Sequence, residues 1–535
     1  MARTGVLLVG VVLAATLLTE VRGDFLIYKP WGGGGQQQGG RGRGNRGQPG
    51  MANNPGARGM QPGMQPGMQP GQGGMTGQEG GDSSASLEIV LPGTATFNGR
   101  IVSFKHTTFK EQLNFNVNEV EVKRTPTTRQ QYGKILGQAG KDPEAVLKAG
   151  LWALKKGLLN EFYAAADKAL DLDPKNEAAG RIRDLKKQMD RDLPDNPGTE
   201  KELRSIISRP GMKIATSKHF ILLHDTPTKA EAGHRKNRAN ERLDLLEKVY
   251  ESFMLLFHAQ DIPLDIPQER MKVVLFQEYN DFHEYATGLS PQLASAAGFW
   301  EPIRNVSYFY DHGTTDLFKA LEKFQDELEK LSDDAKRNRD ASTINLVKTI
   351  NLLIAVEKEN SDITVVSHEA THQLAGNTGL LPRHVEIPRW VHEGLATYFE
   401  APGDATWAGI GAVNETRLTY YRALDKDRVH SNIDFIVEDQ IFDFARSHGA
   451  VLHGYGQAWA LTHFMLENHI KEFVAFYRML GEMPPDVALN PDLLQQLFSR
   501  VFGSDHKPLD QEWRSYMRSL KTDMERMEEL SDKKK

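Results

Sequence analysis

The order of patterns along the 535 residues predicts an α+β fold. Three observations carry that prediction. Short apolar or alternating runs, "KHFILLHD", "MKVVLF" and "GFWEPIRNVSYFY", gather between residues 218 and 310 and read as strands. From "TINLVKTINLLIAVEKE" onward, and above all after Arg389, the patterns read mainly as helices. A small mixed sheet is thus followed by a helical half, which is the α+β order rather than a regular strand–helix alternation.

The first residues, "MARTGVLLVGVVLAATLLTEVRG", have the parts of a secretory signal peptide, assigned to 1–23. Arg3 supplies the positive end, Val6 to Leu18 the apolar stretch, and Val21 and Gly23 the cleavage positions before Asp24. The apolar stretch is shorter than the ~20 residues that cross a bilayer. The expectation is therefore cleavage, no membrane span afterwards, and a secreted or periplasmic, cell-envelope location. Residues 24–86 are expected to form a disordered tether. From Trp31 they are rich in Gly, Gln, Pro, Met and Asn, with "GGRGRGNRG" and "MQPGMQPGMQPG", too poor in apolar side chains to offset chain entropy. Residues 87–124 alternate like strands and carry Asn98-Gly99, a hairpin signal, so a small β unit is expected over 87–130.

Residues 141–195 contain "DPEAVLKAGLWALKKGLLNEFYAAADKALDLDPKNEAA". Gly150, Gly157, Ala169 and Pro174 fall where a tetratricopeptide repeat has its small and helix-ending residues, so this stretch resembles one such repeat. One repeat cannot stack into a solenoid, and a helical hairpin packed beside its neighbours is expected. A protein partner docking on it is the alternative. Residues 205–480 are expected to form the main domain and 481–535 C-terminal helices.

Composition narrows the chemistry. The net charge of -6 and pI near 6.3 give no electrostatic case for a nucleic-acid partner. Cysteine is absent, so disulfides and cysteine-held structural zinc are excluded, and any metal must sit on His, Asp or Glu.

One stretch, "VVSHEATHQL", meets that requirement. Residues four apart share a helix face, so His368 and His372 can present two imidazoles to one ion. Glu369 points about 100° away, where its carboxylate reaches a water beside the metal rather than the metal. The uncharged flanks, Val365, Val366, Ala370, Thr371 and Leu374, suit a buried helix. A helix carrying two hydrogen-bonded histidines is the bland alternative. Downstream lies "PRWVHEGLATYFE", with Glu393 twenty-one positions after His372. The metzincin pattern would need glycine at 375 and histidine at 378, where Ala375 and Thr378 stand.

With these two motifs the chain resembles the gluzincins, the peptidase-MA-like thermolysin and aminopeptidase N group. The resemblance spans roughly 205–480, its specific part being helices at 363–376 and 390–400. Within that group the chain is similar to a family of exported, planctomycete-type bacterial proteins. The resemblance implies a glutamate ligand from the second helix, here Glu393, with His384 and His392 as rivals. His392 is expected on another face of that helix. It also implies an oxyanion-stabilising tyrosine about sixty residues further on. Tyr455 in "LHGYGQAWALTHF" stands sixty-two after Glu393, with His453 as runner-up. Thr397 and Glu400 are candidate partners for the ligands. Aminopeptidases of the group hold a substrate's amine on the glutamate of a Gly-x-Met-Glu-Asn segment. "GFWEP" keeps Gly298 and Glu301 in register but has Trp300 and Pro302 instead of Met and Asn. An endopeptidase using "NVSYFY" as an edge strand for substrate is equally compatible.

The function implied is an exported zinc metallopeptidase acting on a peptide or protein substrate. Zn2+ would be held by His368, His372 and Glu393, with Glu369 as general base and Tyr455 as oxyanion donor. The alternative is a catalytically weak or inactive peptidase-like scaffold of the envelope.

Overall fold

A computed structural model describes residues 24–30, 88–109, 112–194, 196–230, 234–401, 403–447, 450–485 and 487–532. The expected signal peptide, and the tether from Trp31 through 86, lie outside them. The first sheet is built from β1 (Asp24–Tyr28), β2 (Ile89–Asn98), β3 (Ile101–His106), β4 (Gln112–Asn116) and β5 (Val120–Lys123). Its order is β4-β3-β2-β1-β5, all antiparallel. The β unit is therefore as expected from 89 on, but its penultimate strand is taken from the stretch assigned to the tether. "FLIY" is apolar on both faces, and Phe25 through Tyr28 are all buried, so leaving it in solvent would expose area worth several kcal/mol. The glycine-rich segment leaves after Tyr28 and returns at Ile89, two residues paired across the ladder, with Lys29 Nζ 2.7 Å from Glu88 Oε1. It is an insertion inside a hairpin, not a link between two bodies. The Asn-Gly signal is also met one residue late: Asn98 pairs with Ile101, so Gly99, at φ +62°, takes the first of the two loop positions.

Helices α1 (Thr128–Ala139), α2 (Pro143–Lys155), α3 (Leu159–Leu172), α4 (Glu177–Met189) and α5 (Pro197–Ile206) follow. Asp142 caps α2 through the Glu144 N–H, with Pro143 at the first position, and Asn176 caps α4 through Ala179. The α2–α3 hairpin closes tightly because Gly150 has no Cβ, which would stand 2.8 Å from that of Ala165. α2 and α4 both lie against the next long helix, α6 (Arg238–Ala259), so the repeat-like unit is packed into the body of the chain.

Around α6 stand β6 (Lys213–Thr216), β7 (Phe220–His224), β8 (Met271–Phe276), α7 (Tyr279–Leu289), β9 (Phe299–Glu301) and β10 (Val306–Tyr310). This second sheet has the order β6-β7-β8-β10-β9, parallel in its centre and antiparallel at both edges. Its inner strands are apolar on both faces because both faces are covered, by α6 and the later helices on one side and by α5 and α7 on the other. The expected edge strand "NVSYFY" is β10, an interior strand with all five residues buried; the edge is β9. Next come α8 (Asp316–Asn338) and α9 (Ala341–Asn377), a 37-residue helix. The front half of α9 carries the first sheet on Leu352, Leu353 and Val356, and its rear half enters the main core through Val365, Val366 and Leu374.

The helical half continues with α10 (Arg389–Phe399), α11 (Glu415–Leu424), α12 (Ile433–Val437), α13 (Gln440–Ser447) and α14 (Val451–Asn468). It ends with α15 (Ile470–Gly481), α16 (Pro491–Phe502), α17 (Lys507–Ser519) and α18 (Asp523–Asp532). The helices after 481 are not an appendage: Leu494, Leu497, Phe498, Trp513 and Met517 belong to the main core. Among the described residues no helix is long and apolar enough to cross a membrane.

Candidate metal centre

α9 and α10 pack side by side and bring three donor side chains to one point. His368 and His372 stand one turn apart on α9, and Glu393 faces them from α10. His368 Nε2 lies 3.2 Å from His372 Nε2 and 3.2 Å from Glu393 Oε2, which is 3.8 Å from His372 Nε2. Metal–donor bonds of about 2.05 Å in a tetrahedron put donors about 3.3 Å apart. The three atoms thus fit one small ion, and the group is a candidate metal site.

The electrostatics fit too. Burial alone would lower the His368 pKa, but hydrogen bonds to Glu393 and Glu400 outweigh it and push it up to about 10. Two buried carboxylates around one imidazole favour a cation at this spot. Burial and the neighbouring His368 hold His372 neutral, far below the ordinary histidine range. Burial would raise Glu393, but His368 and the nearby histidines keep it ionised. His372 and Glu393 are thus in the forms that bind metal, and His368 would give up its Nε2 proton to an arriving ion.

Behind the donors lies a second layer. His368 Nδ1 is 2.8 Å from Glu400 Oε2. Glu400 is 1% exposed, and Arg417 and His368 hold its pKa down against burial. An ionised carboxylate only accepts, so Nδ1 carries the proton and Nε2 is left to ligate. Glu400 Oε1 accepts from Arg417 Nε at 2.7 Å and Asn414 Nδ2 at 2.9 Å, both from the start of α11. The start of α10 is fixed in turn by Asp439, whose carboxylate accepts the N–H groups of Arg389 and Trp390 at 2.8 and 2.9 Å.

Glu369 is raised to about 7, by burial first and by Glu393 after it, against the opposing effects of His368 and the Trp300 N–H. The edge strand β9 comes close because Gly298 lacks a Cβ, which would stand 2.6 Å from Val365 and 3.3 Å from Glu369. Tyr455 stands on α14, near enough to Glu393 and Glu369 for their charges to act on its phenol. Burial and the charges of Glu393 and Glu369 push its phenol far above its ordinary value, and the Arg417 guanidinium stacks on its ring at 5.0 Å. The approach of α10 to α14 depends on Gly394, whose added Cβ would press on Thr462 and the Ala458 carbonyl.

His384 is exposed and outside the cluster. His392 does not turn away as expected: its ring lies 5.3 Å from that of His372, and its Nδ1 is 3.7 Å from Glu393 Oε1. His453 bonds the Tyr420 carbonyl at 3.1 Å. Thr397 donates to the Glu393 backbone carbonyl at 2.8 Å and orients no ligand side chain; a helix-interior threonine bonding four residues back is the ordinary cause. Glu301 matches by register only. Alternation puts Gly298 and Trp300 on the α9 face, and Glu301 on the opposite one, where it accepts from the Tyr308 hydroxyl at 3.2 Å. Trp300 instead lies on Gly376, at 2.7 Å from where a Cβ would be. Arg417, Asn414 and Asp439 went unnoticed in the sequence. Asn414 and Arg417 look there like an ordinary helix start, Asn414 capping through the Arg417 N–H.

Residues 362–486 match DUF1570, a family described as a protein of unknown function. That stretch contains the end of α9 that carries His368, Glu369 and His372, all of α10, and Tyr455. No curated protein and no solved structure matches the chain.

Proposed function

We propose that the chain is an exported zinc metallopeptidase of gluzincin type that hydrolyses peptide bonds. The observation that carries this reading is the convergence of His368, His372 and Glu393 with Glu369 alongside. His368 and His372 through Nε2, and Glu393 through its carboxylate, would hold the zinc, and Glu400 keeps His368 in the ligating tautomer. Bound zinc supplies a Lewis acid that polarises a carbonyl and acidifies water.

The protein's own groups divide the remaining work. Glu369 takes a proton from the attacking water on a carboxylate oxygen and hands it to the departing amine nitrogen. A pKa near neutrality suits both transfers. Tyr455, a phenol held protonated by its surroundings, donates to the oxygen that becomes negative, worth about 3 kcal/mol in such sites. Glu301 faces away and does not hold a substrate's amine, which favours cleavage within a chain over removal of its first residue.

The test compares the parent protein with Glu369→Gln on a quenched peptide library. Cleavage by the parent alone, with zinc bound in both, supports the reading. Zinc in both without cleavage favours the inactive scaffold, and equal cleavage by both removes Glu369 from its role.

A further inference from the structure

The loop after Glu400 is tied to the first sheet. Gly403 and Thr406 exchange backbone hydrogen bonds and close a turn whose central residues, Asp404 and Ala405, have φ of +55° and +58°. Both positive angles mark a type I′ geometry, which suits glycine and asparagine and disfavours alanine. Such a turn persists only where its surroundings impose it. Here they do, from two sides.

On one side is His106 of β3, 2% exposed. Its Nδ1 accepts the N–H groups of Thr108 and Phe109, each at 3.2 Å. That places the ring proton on Nε2, which donates to Asp404 Oδ1 at 2.7 Å. Thr108 Oγ1 adds a bond to the Asp404 carbonyl at 2.7 Å. On the other side, Asn360 of α9 accepts the Ala405 N–H at 2.8 Å. Ala405 itself packs in one cluster with Tyr28 and Phe104 of the sheet and Leu352 and Val356 of α9. The base of the loop closes on the end of α10: Trp407 Nε1 donates to the Phe399 carbonyl at 2.7 Å, and Ala408 N to Ala401 O at 3.2 Å. Glu400 lies between those two anchors.

We propose that the first sheet is part of the frame of the metal centre, and that His106 is a positioning residue: by pinning Asp404 it sets where Glu400 meets His368. The sheet is therefore no separate module; it imposes a turn the local sequence would not choose. This rests on the metal-site reading above.

The test is the zinc dissociation constant of the full chain, measured by competition with a chromogenic chelator, alongside thermal unfolding. Four proteins are compared: parent, His106→Leu, His106→Gln and His106→Leu with Ala405→Gly. Glutamine keeps an N–H donor at comparable reach, and glycine forms the turn without an outside hold. His106→Leu should weaken zinc binding about tenfold, the lower end for groups that support a ligand, while the other two variants stay within about threefold of the parent. A purely structural contact would lower the unfolding temperature of His106→Leu with no change in zinc affinity and no rescue by Ala405→Gly. That result overturns the proposal and leaves the metal site standing. A parent that binds no zinc overturns the metal reading and this proposal with it. Should His106→Leu not fold, Thr108→Val removes the other hold: weakening of about threefold supports the proposal, and unchanged affinity overturns it.

Discussion

Replacing Glu400 by glutamine is a sharp perturbation because three donors converge on this one buried carboxylate. His368 Nδ1 meets Oε2 at 2.8 Å, while Arg417 Nε and Asn414 Nδ2 meet Oε1 at 2.7 and 2.9 Å. A glutamine has one acceptor oxygen and one donating NH2 in the same space. The charged Arg417 takes the oxygen, which leaves the NH2 facing a ring N–H. His368 escapes that clash by moving its proton to Nε2, and in that tautomer it cannot ligate. Losing a supporting group typically costs 10- to 100-fold in metal affinity, and the wrong tautomer argues for the upper end, about 2.7 kcal/mol. The apo protein should also lose stability, because Arg417 is left buried with less compensation. Chelator competition measures the first effect and thermal unfolding the second. A zinc affinity within about threefold of the parent would refute the chain of support from Arg417 through Glu400 to His368.

Further outcomes follow from other parts of the structure. Tyr455→Phe should fold and bind zinc normally, with kcat on the best peptide down about 100-fold and KM little changed, as loss of an oxyanion donor requires; equal loss in KM would place Tyr455 in substrate binding. Gly394→Ala should destabilise the protein by about 2 kcal/mol in denaturant unfolding, because the added Cβ meets a backbone carbonyl of α14 that cannot turn aside. Glu415 is raised to about 7 by burial and then by Asp523 and Glu525, above its ordinary 4.5. A raised acid binds its proton more tightly when folded, so this group lowers stability as pH rises from about 4.5 to about 7. Glu415→Gln should therefore raise the unfolding temperature at pH 8 relative to the parent, by about 1 kcal/mol in stability after discounting for partial exposure, with little gain at pH 4.

What the sequence discloses here depends on how local the cause is. His368, Glu369 and His372 could be found because helix periodicity alone sets their relative directions. Glu393 and Tyr455 came from resemblance, since nothing local says that two distant helices meet. Glu400 was named only as one of two candidates, and the structure separates it from Thr397 by a single hydrogen bond to Nδ1. Arg417, Asn414 and Asp439 act across tertiary contacts and leave no periodic trace. β1 is hard to read because its partners lie beyond the glycine-rich insertion, although the four consecutive apolar residues of "FLIY" are a usable sign. The same sign was present in "VSYFY": a run apolar on both faces belongs inside a sheet, not at its edge. The match of Glu301 to an amine-binding glutamate failed by the oldest rule of strands, since neighbours along a strand face opposite ways.

Two imidazoles and one carboxylate are proposed to hold a zinc ion between α9 and α10. The most direct measurement is metal analysis of the purified full chain, parent beside Glu393→Ala, joined to zinc-edge X-ray absorption. Stoichiometric zinc in the parent with nitrogen and oxygen neighbours near 2.0–2.1 Å, lost in the variant, is the predicted result. A parent without zinc after loading and desalting, or zinc retained unchanged in Glu393→Ala, would contradict it.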